Sequence, residues 1–258
     1  MRVYLDNAAT TPIDQEVLKT MFSVMENHYG NPSSIHSHGR EVRTLVEKAR
    51  KSVAQILNTA PANIFFTSGG TEADNMAIRC AIEDFGIKHA ITSKIEHHAV
   101  GHTLVHLEQQ GKIKLSYVDV DEKGSINYHH LEELLKDNER SLVSLMHANN
   151  EIATLLPLAE VAQLCRQNGA YFHSDTVQTM GHYAFDLAAL DIDFITCAAH
   201  KFHGPKGVGI MVLKAGKQLE PMIFGGGQER DRRSGTHNVA GIIGAATALH
   251  FTDITRAD

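Results

Sequence analysis

Phe194-Ile195-Thr196-Cys197-Ala198-Ala199-His200-Lys201-Phe202-His203-Gly204-Pro205-Lys206-Gly207-Val208-Gly209 is the stretch that decides the fold. An apolar run, Phe194 to Cys197, reads as a strand, and a second, Val208 to Leu213, follows a turn rich in Gly and Pro. Between them stands Lys201, at a strand terminus and away from any charge-rich helix face. An amine so placed suits a Schiff-base lysine, because partial burial and a nearby cation lower its pKa and free the nitrogen lone pair. The plainer reading is an exposed loop lysine.

The same alternation extends in both directions. Residues 40–57 set Val42, Leu45, Val46, Ala49, Val53, Ile56 and Leu57 on one helical stripe, and residues 14–26 do so with Val17, Leu18, Met21 and Met25. Strand-like runs lie at Ile64–Thr67, Ala90–Thr92, Ile113–Val120, Leu142–Met146 and Tyr171–His173. Pro157 suits a first helical turn, and Gly86, Gly111 and Gly169 suit left-handed positions past helix ends. Strands alternating with helices predict an α/β fold, a mostly parallel central sheet with helices on both faces. Ligands of such sheets bind outside the carboxyl ends of the strands, so the residues just after each strand are the candidates.

Three further motifs occupy such positions. Thr67-Ser68-Gly69-Gly70-Thr71-Glu72 joins a strand to a helix. Free amides at the helix start, the macrodipole and the Thr71 hydroxyl suit a phosphate, although Gly70 and Thr71 also make an ordinary turn and cap. The segment lacks the Walker lysine and the spaced glycines of a dinucleotide fingerprint, which argues against a nucleotide. Asp175, in Phe172-His173-Ser174-Asp175-Thr176-Val177-Gln178, is either a cap or the partner of a pyridinium nitrogen, which an anion keeps protonated. Gly225-Gly226-Gly227-Gln228-Glu229-Arg230 with Arg232 to Thr236 reads either as a mobile anion-binding segment or as a surface loop. His97 opens a helix at the same ligand edge, where an imidazole can stack on a ring or move a proton. His98, His102 and His106 repeat every fourth residue and read as a polar helix face; no metal site is expected.

Composition narrows the class. The 258 residues carry 24 basic and 30 acidic side chains, net −6, which speaks against nucleic acid or an anionic membrane as partner. No apolar run is long enough to span a bilayer, and residues 1–6 lack the apolar core of a signal peptide. Cys80, Cys165 and Cys197 are too few and too scattered for a disulfide framework and read as core residues, so a reducing, cytoplasmic compartment is expected.

Taken together these motifs resemble the class V aminotransferase-like, fold-type-I pyridoxal 5'-phosphate (PLP) enzymes, and among them the cysteine desulfurases of iron–sulfur cluster assembly. The likeness is carried by Tyr4–Thr11, Gly30–His36, Thr67–Asn75, Glu96–Val100, His147–Glu151, the Asp175 and Lys201 segments and Gly225–Thr236, in family order along the chain. It implies that Lys201 bonds PLP and shuttles protons, that Asp175 pairs with the ring nitrogen, and that Gln178 and Asn149 reach the ring hydroxyl. It further implies that His97 stacks on the ring, that Gly70, Thr71 and His200 hold the phosphate, and that Thr236 reaches the phosphate of a second subunit in a homodimer. The implied chemistry turns L-cysteine into L-alanine and an enzyme persulfide that is passed to a sulfur-acceptor protein. Two departures stand out. Ala198 occupies a position where the family commonly has a phosphate-binding serine. The family's persulfide cysteine and carboxylate-binding arginine also have no counterpart before Asp258. The expectation is therefore a large domain over 15–258, an N-terminal segment 1–14 that belongs with the small domain, and a C-terminal small domain that is absent. A selenocysteine lyase, another class V PLP enzyme, or a PLP-binding remnant without turnover are the alternatives.

Overall fold

The computed structural model describes residues 1–136, 140–214 and 219–252. Among these residues seven strands form one sheet: β1 (Ile64–Thr67), β2 (His89–Thr92), β3 (Lys114–Tyr117), β4 (Ser141–Ser144), β5 (Tyr171–Asp175), β6 (Phe194–Ala198) and β7 (Gly209–Leu213). Their order is β1-β7-β6-β5-β4-β2-β3, with β7 antiparallel to both neighbours and the remaining pairs parallel. The helices are α1 (Gln15–Asn27), α2 (Ser37–Ile56), α3 (Gly70–Arg79), α4 (His98–Gln109), α5 (Tyr128–Lys136), α6 (Leu158–Gln167) and α7 (Val239–Phe251).

Both faces of the sheet are covered, as the alternation requires. Ile64, Phe66, Ile91, Val143, Phe172, Ile195, Ile210 and Val212 join one core with residues of α1, α2, α5, α6 and α7. Phe65, Ala90, Leu142, Phe194, Met211 and Leu213 join a second core under α3 and α4. Neighbouring residues of one strand thus serve opposite cores, the period-2 signature of a sheet buried on both sides. Burying α7, a helix apolar nearly all round, against both α1 and α2 removes a surface that water would not tolerate.

The predicted elements are present, with shifted ends. The first long helix starts at Ser37 because His36 Nδ1 accepts the Gly39 amide at 3.4 Å. Ile113–Val120 contracts to β3, since Asp119 turns away to accept the Asn127 amide at 2.8 Å. Leu142–Met146 contracts to β4 because the Met146 amide donates instead to Glu96 Oε1, at 3.0 Å. Pro157 sits one position ahead of α6, at its cap. Gly86, Gly111 and Gly169 have φ of +67°, +68° and +65°. Cys80, Cys165 and Cys197 are all buried, and no helix among the described residues is long and apolar enough to cross a membrane.

Candidate active site at the carboxyl edge of the sheet

β1, β5 and β6 all run toward one edge, and their following residues meet there with those before α4 around a cleft of about 540 Å³. Gly70, Thr71, His97, Asp175, Gln178, His200 and Lys201 line it, together with Asp74, Ala198 and the Ala8 segment. Seven of the nine site residues read from sequence are therefore brought together.

The floor is acidic. Asp175 ends β5 and is buried, and its Oδ1 accepts the Val177 amide at 2.8 Å. Burial, and then the carboxyl of Asp74, push its pKa up to about 7. Polar atoms of Asp74, His97 and Asp175 lie within 4.8 Å of one another. His97 caps α4, accepting the Ala99 amide on Nδ1 at 3.1 Å, which leaves the exposed ring at the cleft mouth.

One wall is a helix start. α3 starts at Gly70 with a first turn whose amides have no partner within the helix. A Cβ at Gly70 would come within 2.8 Å of Val177 Cγ2 and 3.5 Å of Ala198 Cβ, so only glycine lets the backbone line the wall here. Gly209 of β7 makes the same demand from below, because a Cβ there would meet the Gly69 carbonyl carbon at 2.4 Å. Glu72 fixes the turn by accepting the Ser68 amide at 2.7 Å and pairing with Arg233 at 2.7 and 3.1 Å.

Lys201 also lines the cleft and is half buried, and its Nζ donates to the Ala8 carbonyl, which also accepts from Gln178 Nε2 at 3.0 Å. Burial lowers the lysine pKa, and Asp175 and Asp6 oppose it. Burial followed by Lys201 and Lys206 likewise lowers His200, whose Nδ1 lies 3.1 Å from Thr10 Oγ1. The Thr11 amide donates to the His200 carbonyl at 2.9 Å and Asp14 to that of His203 at 3.0 Å, stitching the N-terminal segment to the lysine loop. An amine, a buried carboxyl and a helix start with free amides thus face one space, a set suited to a ligand with an electrophile, a basic ring and a phosphate.

A model of the family "Aminotransferase class-V" matches residues 3–258. The chain belongs to the class-V aminotransferase family. Among relatives of this class-V chain is cysteine desulfurase IscS of Dictyoglomus turgidum, 45% identical over 252 residues, 96% of this chain and 63% of that protein. Putative cysteine desulfurase IscS 1 of Bacillus subtilis is 45% identical over 258 residues, 99% of this chain and 67% of that protein. The chain thus spans about two thirds of the length of these relatives. Of solved structures, a NifS-like protein superposes with a TM-score of 0.94 at 44% identity, covering 98% of this chain and 70% of that one. SspA in complex with cysteine does so with 0.92 at 31%, covering 97% and 73%.

Two expected residues fall elsewhere on this class-V scaffold. Asn149 is turned from the cleft: Nδ2 donates to the Ile95 carbonyl at 2.7 Å, and Oδ1 accepts the Glu151 and Ile152 amides at 2.8 and 2.9 Å. Its acceptor closes a local turn, and Asn150 lines the cleft instead. Thr236 is exposed and outside the cleft lining. The histidines at 98, 102 and 106 are exposed on α4, with the first two rings stacked at 4.6 Å, as a polar face demands. Asp74 and the Ala8 carbonyl went unread in the sequence. Asp74 follows Gly70 by four residues and so shares its helix face, a signal available beforehand; nothing marks a backbone carbonyl in a sequence.

Proposed function

We propose that the chain is the cofactor-binding part of a PLP-dependent cysteine desulfurase acting on L-cysteine. The observation that carries this reading is the convergence of the Lys201 amine, the buried Asp175 carboxyl and the Gly70–Thr71 helix start on one cleft. The residues fit the group. The glycine wall and free amides match a phosphate, and two buried carboxyls with no lysine or arginine paired to them among the described residues match a protonated ring nitrogen. When bound, PLP supplies an electron sink that weakens bonds at the substrate carbon carrying the amine.

The chain's own groups have distinct tasks. Gly70, Thr71 and His200 hold the phosphate, and Asp175 holds a proton on the ring nitrogen. The exposed ring of His97 covers the ring face. Lys201 Nζ, freed from the Ala8 carbonyl, would hold the cofactor and move protons at the substrate carbon, a role its lowered pKa suits. Thr236 serves a second copy of the chain in a homodimer, and a sulfur-acceptor protein of iron–sulfur cluster assembly takes the product sulfur in the whole protein. Residues 1–14 belong with a small domain, and 15–258 form the large one.

The reading without turnover has its own support for this polypeptide. Burial raises the thiol pKa of both Cys165 and Cys197, and Cys80 is equally enclosed, so none of the three is available as a persulfide carrier. Adding L-cysteine to the PLP-loaded chain should change its visible absorption without sustained sulfide release in the presence of a thiol reductant. An unchanged spectrum would remove L-cysteine as substrate; family-like sulfide turnover would show that a buried cysteine does act.

A further inference from the structure

Beneath the cleft floor lies a second carboxyl that the reading above does not use. Asp74, on α3, has a side chain only 1% exposed. Its Oδ1 accepts from Thr196 Oγ1 at 2.5 Å and lies 3.5 Å from His173 Nε2. His173 brings no positive charge, since burial holds it down at about 4 while its Nδ1 meets Ser144 Oγ at 2.8 Å. The groups facing Asp74 are Asp175 and His173 from β5, Thr196 and Cys197 from β6, and Glu96 and His97 ahead of α4. Lys201 also lines the cleft but is engaged at Ala8. Two carboxyls buried this close, with no lysine or arginine paired to them among the described residues, do not both stay ionised.

We propose that Asp74 is a positioning residue: the buried Asp74–Asp175 pair holds one proton between its two carboxyls while the cleft is empty and releases it to solvent when a cationic ring nitrogen docks on Asp175, so that two carboxylates then meet that charge. The inference rests on the cofactor reading. The step is a proton transfer alone: one carboxyl O–H bond of the pair breaks, its proton is taken up by water, and the ring nitrogen keeps its own. The arrangement accounts for the Thr196 hydroxyl, which stabilises the Asp74 anion once it forms, and for a buried acid on the helix face that bears the phosphate wall.

The test is calorimetry of pyridoxamine 5'-phosphate binding, a probe with the ring and phosphate but no aldehyde to bond Lys201. Titrations at pH 6 in two buffers of different ionisation heat give the protons released. The wild-type chain should release about one proton more than Asp74→Asn. In Thr196→Val, which keeps both carboxyls but removes the donor, the pH at which this release is half-complete should move upward. Equal proton counts in wild type and Asp74→Asn, or an unmoved release profile in Thr196→Val, would overturn the proposal. No binding by the wild type would instead remove the cofactor reading, and this proposal with it.

Discussion

Ala198 ends β6 with its Cβ facing the Gly70 wall, where the phosphate of the proposed cofactor would rest. A hydroxyl there adds a donor to a charged acceptor, worth about 1.5 kcal/mol, or roughly tenfold in affinity. Ala198→Ser should therefore tighten pyridoxamine 5'-phosphate by about that factor; an unchanged dissociation constant in equilibrium dialysis would place the phosphate elsewhere. At this scale the sequence was legible where the backbone decides the position. Asp175 and Lys201 follow directly from strand ends, and Gly70 from a strand-to-helix turn. It was not legible where a side chain chooses among local partners. Asn149 satisfies its carbonyl on the two amides just ahead, a choice that depends on loop geometry and not on residue type.

The Gly225–Thr236 segment shows what a buried ion pair does for an element. Glu229, Arg230 and Asp231 have φ of +44°, +59° and +63°, three consecutive non-glycine residues in the left-handed region. Each costs of order 1 kcal/mol, so something must hold them. Arg50 of α2 grips Glu229 with two hydrogen bonds of 2.8 Å, while the Phe66 amide and His237 Nε2 bind the same carboxylate at 2.9 and 2.8 Å. Burial alone would raise the Glu229 pKa, but Arg50 and His237 outweigh it and hold the group at about 2. Removing one partner leaves an unpaired buried charge, so Arg50→Met should cost about 3–5 kcal/mol of unfolding free energy in urea. The double variant Arg50→Met, Glu229→Gln should recover much of it. A loss below about 1 kcal/mol in the single variant would mean that water reaches the pair. The sequence showed this segment only as a glycine and arginine loop; its partner Arg50 lies 179 residues away, beyond any local pattern.

The molecule as a whole stores opposed pH dependences. Asp74 and Asp175 titrate near 7 and Glu96 near 8, all raised first by burial from ordinary values of 3.8 and 4.5. These acids make the folded empty chain bind more protons than the unfolded chain between about pH 4 and 8, but burial holds His89, His147 and His173 down at about 4 and opposes them below the ordinary histidine value of 6.5, so stability falls with rising pH chiefly between about 6.5 and 8. Glu229 acts the other way, its contribution being full above an ordinary 4.5 and lost as pH falls toward 2. The urea midpoint of the empty protein should be higher at pH 6.5 than at pH 8, and Glu96→Gln should flatten the slope. A flat or rising profile between those values would contradict the burial of these acids.

At the same scale the α/β architecture was readable because periodicity reports burial on two faces, whereas the strand order and the antiparallel β7 depend on pairings between distant segments that no single stretch encodes. What the fold positions is one amine over one acidic floor, and that is the claim to test. The chain should be incubated with PLP, reduced with borohydride, digested and mapped by mass spectrometry. A pyridoxyl-phosphate adduct is expected on Lys201 and absent from Lys201→Ala; no adduct, or one spread over surface lysines with Lys201 unmodified, would show that the amine does not hold the cofactor.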